Sequence, residues 1–243
     1  MITESEKISK WLIENKIAYI NDFNISIRSW LKAGGTIRTY ITPKDEQETI
    51  KVVNFLNSEK YDYKILGNLS NIIIRDGVIF TPILNLSKLN QINQKIYSDK
   101  LELKVDAGVS IPRFANYIIK QEYSGTESLQ GIPGSIGGGI YMNASCYGSG
   151  LTDYLVSIKS INSKGEIIIR NKKDAKFDWR KSIYHENLEI IISAIFQFPS
   201  SQKKNIDIIR LKSEKIKFHR KKFQESTNPN LGSLFATKNL YSD

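Results

Sequence analysis

The sequence predicts an α+β protein, and three observations carry that prediction. Strand-like and helix-like segments are mixed along the chain without the strict strand–helix alternation of a doubly wound parallel sheet. The 243 residues are 40% hydrophobic and 25% charged, which suits one large or two modest packed domains and argues against a disordered chain. Glycine is clustered: eight of the 15 glycines fall between Gly125 and Gly150.

Residues 3–15 read as a short helix with Ile8, Trp11 and Leu12 on one side. Pro43, followed by Lys44, Asp45 and Glu46, opens a helix to Asn57. Ile50, Val53 and Leu56 recur there at helical spacing, and the early acids suit the helix dipole. Residues 63–66, 71–75, 78–84 and 101–105 read as short strands. Ser110 is a fitting cap for a helix over 111–120, whose first turn tolerates Pro112. Residues 155–161 and 166–170 flank Ser163, Lys164 and Gly165 as a hairpin. Residues 188–198 read as a further strand and 206–222 as a helix. No internal repeat or low-complexity stretch stands out.

The formal net charge of +10 favours anionic partners. Much of the excess lies between Lys203 and Lys222, where nine basic side chains face two acidic ones. A charge run of this kind reads as a solvated helix face. No zinc-finger spacing, aromatic RNA-binding strand or leucine-zipper heptad accompanies it, so nucleic acid is not the expected partner. The single cysteine, Cys146, excludes an intramolecular disulfide and fits a reducing compartment. No apolar run approaches the roughly 20 residues of a membrane helix. The N-terminal residues lack the basic start and apolar centre of a signal peptide, so a cytoplasmic location is expected. His185 and His219 lack metal-ligand spacing, and no metal is expected.

Glycine is placed where backbone takes positive φ or approaches something closely. Amides left uncovered by side chains can also form concave anion nests that hold pyrophosphate. The 125–150 segment admits either reading: a phosphate cradle, or a tight crossing of strands with no ligand. Ile140, Tyr141 and Met142 follow Gly137, Gly138 and Gly139 and anchor the loop. A shorter glycine site, Leu66-Gly67-Asn68-Leu69-Ser70-Asn71, lies between two strand candidates, so its amides and polar side chains can also face a phosphate. Neither segment is a nicotinamide-type G-x-G-x-x-G, and no Walker sequence is present.

Taken together, these segments resemble the UDP-N-acetylenolpyruvoylglucosamine reductases (UDP-N-acetylmuramate dehydrogenases), flavoproteins of cell-wall precursor synthesis. Ala33-Gly34-Gly35-Thr36 is similar to an early "GG" turn of that family. Leu66 to Asn71 with Asp76-Gly77 is similar to its "LGxGSN…D.G" flavin loop. Gly131-Ile132-Pro133-Gly134-Ser135-Ile136-Gly137-Gly138-Gly139, continuing to Met142-Asn143-Ala144, resembles its "GIPGxxGGxxxMNA" signature, the most specific of the matches. Trp179-Arg180-Lys181-Ser182 resembles "YRxS", and Gly232-Ser233-Leu234-Phe235 resembles "GSxFKNP".

The resemblance implies a two-lobed FAD-binding fold of the vanillyl-alcohol-oxidase type. Residues 1–88 would form the N-terminal lobe and 89–202 the second. Residues 203–243 would be a basic helix and the start of a substrate domain. It implies reduction of the enolpyruvyl ether of a UDP-sugar, with NADPH reducing the flavin and flavin N5 delivering hydride. Gly67, Asn68, Leu69, Ser70 and Asn71 would hold the cofactor together with Gly131, Ile132, Pro133, Gly134, Ser135, Gly137, Gly138 and Asn143. Arg180 would meet the substrate carboxylate and the enolate charge, since a guanidinium fork matches a carboxylate. Ser233 would donate the proton, which a hydroxyl does only when its conjugate base is stabilised. Tyr141 and Tyr147 either pack along the cofactor or belong to the core, and Cys146 reads as a small packing residue.

The match has departures. Asn68 and Leu69 stand where the family prefers glycine, Trp179 replaces its tyrosine, and Ala236-Thr237-Lys238-Asn239 replaces "KNP". The family continues past the point matching Asp243 into a domain carrying its catalytic glutamate, and no residue here is assigned that role. At the level of sequence, a related flavin oxidoreductase acting on another nucleotide sugar in surface-polysaccharide synthesis, or a non-catalytic flavin binder, stays open. So does the oligomeric state.

Overall fold

The structure is a computed structural model and describes residues 3–224 and 228–232. The chain opens with helix α1 (Glu4–Glu14), followed by strands β1 (Tyr19–Asn24) and β2 (Thr36–Ile41). Helix α2 (Glu46–Ser58) leads to β3 (Lys64–Leu66), β4 (Val78–Ile79) and β5 (Ile83–Asn85). Thr3 caps α1 through a capping box with Glu6, and the Asp45 side chain accepts from Glu48 N at the start of α2. These strands form one mixed sheet in the order β1-β2-β5-β3, with β4 also beside β2. β1 is antiparallel to β2, whereas β4 and β5 are parallel to β2, and β3 is parallel to β5.

A second sheet follows. β6 (Ile92–Ile96) and β7 (Lys100–Asp106) come first, then helices α3 (Ile111–Lys120) and α4 (Ile136–Tyr141). A minimal hairpin, β8 (Ser145–Cys146) and β9 (Ser149–Gly150), precedes β10 (Leu155–Ile161) and β11 (Ile167–Asn171). The one-turn helix α5 (Tyr184–Asn187), β12 (Ile190–Pro199) and the long helix α6 (Ile206–Phe223) complete the described fold. This sheet is antiparallel throughout, in the order β11-β10-β12-β7-β6. Its core sets Leu101, Leu103 and Val105 of β7 and Phe196 of β12 against Phe114 and Ile118 of α3 and Ile136 and Ile140 of α4. Each such side chain, fully buried, contributes about 1.5–3 kcal/mol. The two sheets are joined by a shared cluster. Ile8, Leu12, Val52 and Leu56 of α1 and α2 pack with Ile161 of β10 and Ile190 and Ile192 of β12. No described helix is long and apolar enough to cross a membrane.

Helix α3 spans the expected residues, with the Ser110 side chain accepting from Arg113 N. The hairpin over 155–171 and the strand ending near Pro199 also form. Two strand expectations are corrected. Residues 71–75 join no ladder; Ile72 and Ile74 instead pack as irregular chain against the cluster of Phe23, Ile25 and Ile37. The run 78–84 is split into β4 and β5 around Pro82, which has no N–H to donate and whose carbonyl accepts from Lys64 N at 3.0 Å. The glycine run, read as a loop, contains α4. Glycine is a poor helix former, but the Ser135 side chain caps this turn and Ile136 and Ile140, four apart, are both buried.

Candidate functional site

The chain leaves β3 at Leu66 and turns sharply through residues 67–71. The buried Asn85 supports that turn from beneath, its Nδ2 donating to the carbonyls of both Leu66 and Gly67 at 2.9 Å. Leu69 takes φ 57°, a left-handed conformation that favours glycine, and is held there by burial in the apolar cluster of Phe23 and Ile37. Trp30 N–H donates to Leu69 O at 3.2 Å.

This turn is fastened to the second glycine segment. Asn68 Nδ2 donates to Gly134 O at 3.2 Å, and Ser70 Oγ donates to Pro133 O at 2.9 Å. Gly67 lies so close to Ser135 that a Cβ would meet Ser135 Oγ at 2.6 Å. Two of the sequence-predicted groups, 67–71 and 133–135, are therefore in direct contact. Among the described residues, none accepts from the main-chain N–H of Asn68, Leu69, Ser70, Asn71 or Ser135. Leu69, Ser70 and Ser135 are buried residues. Buried N–H groups are rarely left unmet, so this surface has the chemistry of an acceptor-binding cradle. The diphosphate of a flavin dinucleotide fits that donor set.

The glycines further along behave differently, which corrects the reading of them as bare donors. Gly137 N–H donates to Ala107 O and Gly139 N–H to Ser135 O, both at 2.8 Å, and Ile136 N–H to Val109 O at 2.8 Å. Gly138 N–H is directed at its own cap, Ser135 Oγ, at 3.4 Å. These glycines let α4 sit against β7: a Cβ on Gly137 would meet Ala107 Cβ at 3.0 Å, and one on Gly139 would meet Leu151 Cδ2 at 2.5 Å. Gly134 takes φ 147°, and its carbonyl accepts from Ile111 N as well. Ile132 ends the turn over residues 127–131, donating to Leu129 O at 3.0 Å. The space beside Gly131 is filled by Arg220 of α6, so that a Cβ on this glycine would stand 2.5 Å from Arg220 Cζ.

Asn143 is likewise engaged within the protein. Its side chain is committed to the protein: Nδ2 donates to Asp178 O at 3.0 Å, and Oδ1 accepts from Thr152 Oγ1 at 2.9 Å. At φ 44° it occupies a conformation that asparagine tolerates better than most residues. It thereby pins the tight turn 178–181 to the chain after α4. Two more bonds do the same: Ser182 Oγ donates to Tyr141 O at 2.7 Å, and Arg180 Nη2 to Ser145 O at 3.4 Å. Arg180 is half-buried, has φ 53°, and its guanidinium lies 5.1 Å from the Trp179 ring centroid. Strained backbone of this kind persists where surrounding structure over-determines it. Tyr141 packs tilted against His185 with centroids 3.9 Å apart, and Tyr147 Oη meets His219 Nδ1 at 2.8 Å. Ser233 lies outside the described residues.

Arg220 Nη2 lies 3.0 Å from Cys146 Sγ, and the charge of Arg180 also acts on the thiol. Burial pushes the thiol up, and the charges of Arg220 and Arg180 pull only partly against that. It is therefore protonated at neutral pH, in keeping with a packing role. Three contributors escaped the sequence reading. Arg220 and Lys212 were hidden in the basic run; Arg220 turns inward, and the exposed Lys212 reaches Glu127 Oε2 with its Nζ at 3.3 Å. Glu127, with 1% of its surface exposed, is the third. Burial alone would raise its carboxyl, but hydrogen bonds from Ser124 and Gly125 and the charge of Lys212 outweigh it and hold it below the usual carboxylate range. An isolated Glu after Thr126 gave no signal for this.

The family described as the FAD binding domain matches residues 37–170. UDP-N-acetylenolpyruvoylglucosamine reductase from Clostridium novyi (strain NT) is 30% identical over 214 residues, covering 87% of this chain and 67% of the relative. The chain thus spans about two thirds of the length of the curated relatives it matches. Among solved structures, UDP-N-acetylenolpyruvylglucosamine reductase from Thermus caldophilus superposes with a TM-score of 0.71 at 19% identity, covering 89% of this chain and 73% of that one. Cholesterol oxidase from B. sterolicum superposes with a TM-score of 0.56 at 16% identity, covering 76% of this chain and 38% of that one. The expected two-lobed flavoprotein fold is present.

Proposed function

This chain belongs to the UDP-N-acetylenolpyruvoylglucosamine reductase family, and we propose that it reduces UDP-N-acetylglucosamine enolpyruvate in an FAD-dependent, NADPH-using reaction of peptidoglycan precursor synthesis in the cytoplasm. One observation carries the reading. The N–H groups of residues 68–71, from which none of the described residues accepts, are mounted on a turn that Asn85 supports below and that Pro133 and Gly134 fasten at the side. A diphosphate accepts several such bonds, and each bond to a charged acceptor contributes about 1.5–3 kcal/mol. Asn68 and Leu69, where the family prefers glycine, do not block this cradle: the Asn68 side chain is turned toward Gly134 O and Leu69 points into the core.

Bound FAD supplies the hydride chemistry. In this reading residues 1–88 and 89–202 are the two lobes around it, and 203–243 begin the part that serves the substrate. Arg180 orients the substrate carboxylate and stabilises the charge that develops beside it, because its turn is held at Asp178, Arg180 and Ser182. Preorganised donors of that kind need no rearrangement when charge appears. Ser233 delivers the proton to the substrate carbon, a role that a hydroxyl fills only when its conjugate base is stabilised.

The test is a two-stage assay on the purified chain. FAD is expected to bind, and NADPH oxidation is expected to depend on the enolpyruvyl UDP-sugar. Ser233→Ala should slow the substrate half-reaction and spare flavin reduction by NADPH. Oxidation supported only by another nucleotide sugar contradicts the substrate assignment. Equal half-reactions in wild type and Ser233→Ala contradict the proton-donor role.

A further inference from the structure

The sequence places Arg220 among lysines, yet its side chain is the best-connected cation of α6. Nη1 donates to Gly131 O at 2.5 Å, while Nη2 donates to Ser128 O at 3.1 Å and reaches Cys146 Sγ at 3.0 Å. The guanidinium also lies over the Tyr147 ring, 5.2 Å from its centroid. Two turns earlier on the same helix, Lys212 Nζ meets the buried Glu127 at 3.3 Å. The turn over residues 127–131 is therefore clamped at both ends by α6. The chain that leaves this turn is Ile132 to Ser135, whose carbonyls receive Ser70 and Asn68. The sulfur that Arg220 touches follows Ser145, whose carbonyl receives Arg180.

Gly131 explains how the guanidinium gets in. Its backbone is not left-handed, so conformation does not demand glycine there. Space does: a Cβ would stand 2.5 Å from Arg220 Cζ, Nε and Nη1. The guanidinium is the free end of a long side chain, so an alanine at 131 would displace it rather than break the fold.

We propose that Arg220 is a positioning residue for the flavin site, a latch by which α6 holds the 128–131 turn and the β8–β9 hairpin in register with the cradle. A lysine cannot replace it, because a point charge does not span two carbonyls and a sulfur at once. The proposal rests on the flavin reading above.

The experiment is a mutant cycle in the full chain with Gly131→Ala, Arg220→Ala and the double variant. FAD affinity is read by flavin fluorescence and unfolding by urea. Each single variant is expected to weaken FAD binding about tenfold, in the usual range of coupling between contiguous elements. The double variant should be no weaker than either single, because both remove the same latch. Arg220→Lys should not restore affinity. A distant core control, Leu12→Ala, should lower stability while leaving the FAD constant of the folded protein within about twofold. Additive losses, or an Arg220→Ala protein that binds FAD like wild type, overturn the proposal. If wild type binds no FAD, the flavin reading fails and the latch on that site fails with it. The unfolding cycle then still separates the two failures, by showing whether residues 131 and 220 are coupled.

Discussion

The two glycine-bearing segments of this molecule solve opposite problems. The shorter, over residues 67–71, has one glycine and, among the described residues, spends none of the main-chain donors of 68–71; its leucine takes positive φ. The longer, over residues 131–139, has five glycines and spends its donors internally, on Ala107, Val109 and Ser135. There the missing side chains serve close approach, to Arg220 at 131, to Ala107 just past β7 at 137 and to Leu151 at 139. Glycine density is thus a marker of tight packing as readily as of anion binding. Which one applies is decided by where the N–H groups go.

Three substitutions can break or sharpen this contrast. The largest effect is expected from Gly67→Ala, whose Cβ would stand 2.6 Å from Ser135 Oγ at the point where the two segments meet. It should weaken FAD binding about 100-fold, the equivalent of one or two lost bonds to a charged acceptor, with little change in Tm. An unchanged FAD constant would remove the cradle from this loop. Gly139→Ala should show the reverse pattern. Its Cβ enters the core 2.5 Å from Leu151 Cδ2 and 2.8 Å from Ile111 Cδ1, an overpacking that costs about 1–3 kcal/mol. A calorimetric scan should find Tm lowered by several degrees, and FAD affinity of the folded fraction nearly intact.

The smallest effect concerns the support behind the longer segment. Glu127 is held below its ordinary 4.5 by Ser124, Gly125 and Lys212, against the opposing pull of burial. Its folded form therefore gives up the proton more readily than its unfolded form. The stabilisation is fully present above 4.5 and drains away as pH falls through the lower folded value. Glu127→Gln should cost about 1–2 kcal/mol at neutral pH, and urea midpoints of the two proteins should converge in acid. A gap that widens in acid would reverse the sign assigned here.

Local signals were legible where local physics decides the outcome. Helix α3 could be read because Ser110, Pro112 and the spacing of Phe114 and Ile118 agree with one another. Strands β1 and β6 could not, because most of their residues face solvent and carry polar side chains without apolar alternation. Helix α4 was masked by glycines whose low propensity is overridden by packing. In the site, the contact between the two glycine segments was not visible, since Ser70 and Pro133 lie 63 residues apart. The commitment of Asn143 to Asp178, 35 residues on, and of Arg220 to Gly131, 89 residues back, are tertiary facts of the same sort. The family signature located these residues in order but did not say which of them face the ligand and which hold the others.

Amide hydrogen exchange with and without FAD tests the central claim most directly. Binding should slow exchange at Asn68, Leu69, Ser70 and Asn71, and leave Gly137 and Gly139 near their already protected apo rates. Protection that arises at Gly137 and Gly139 while residues 68–71 exchange unchanged would contradict the account.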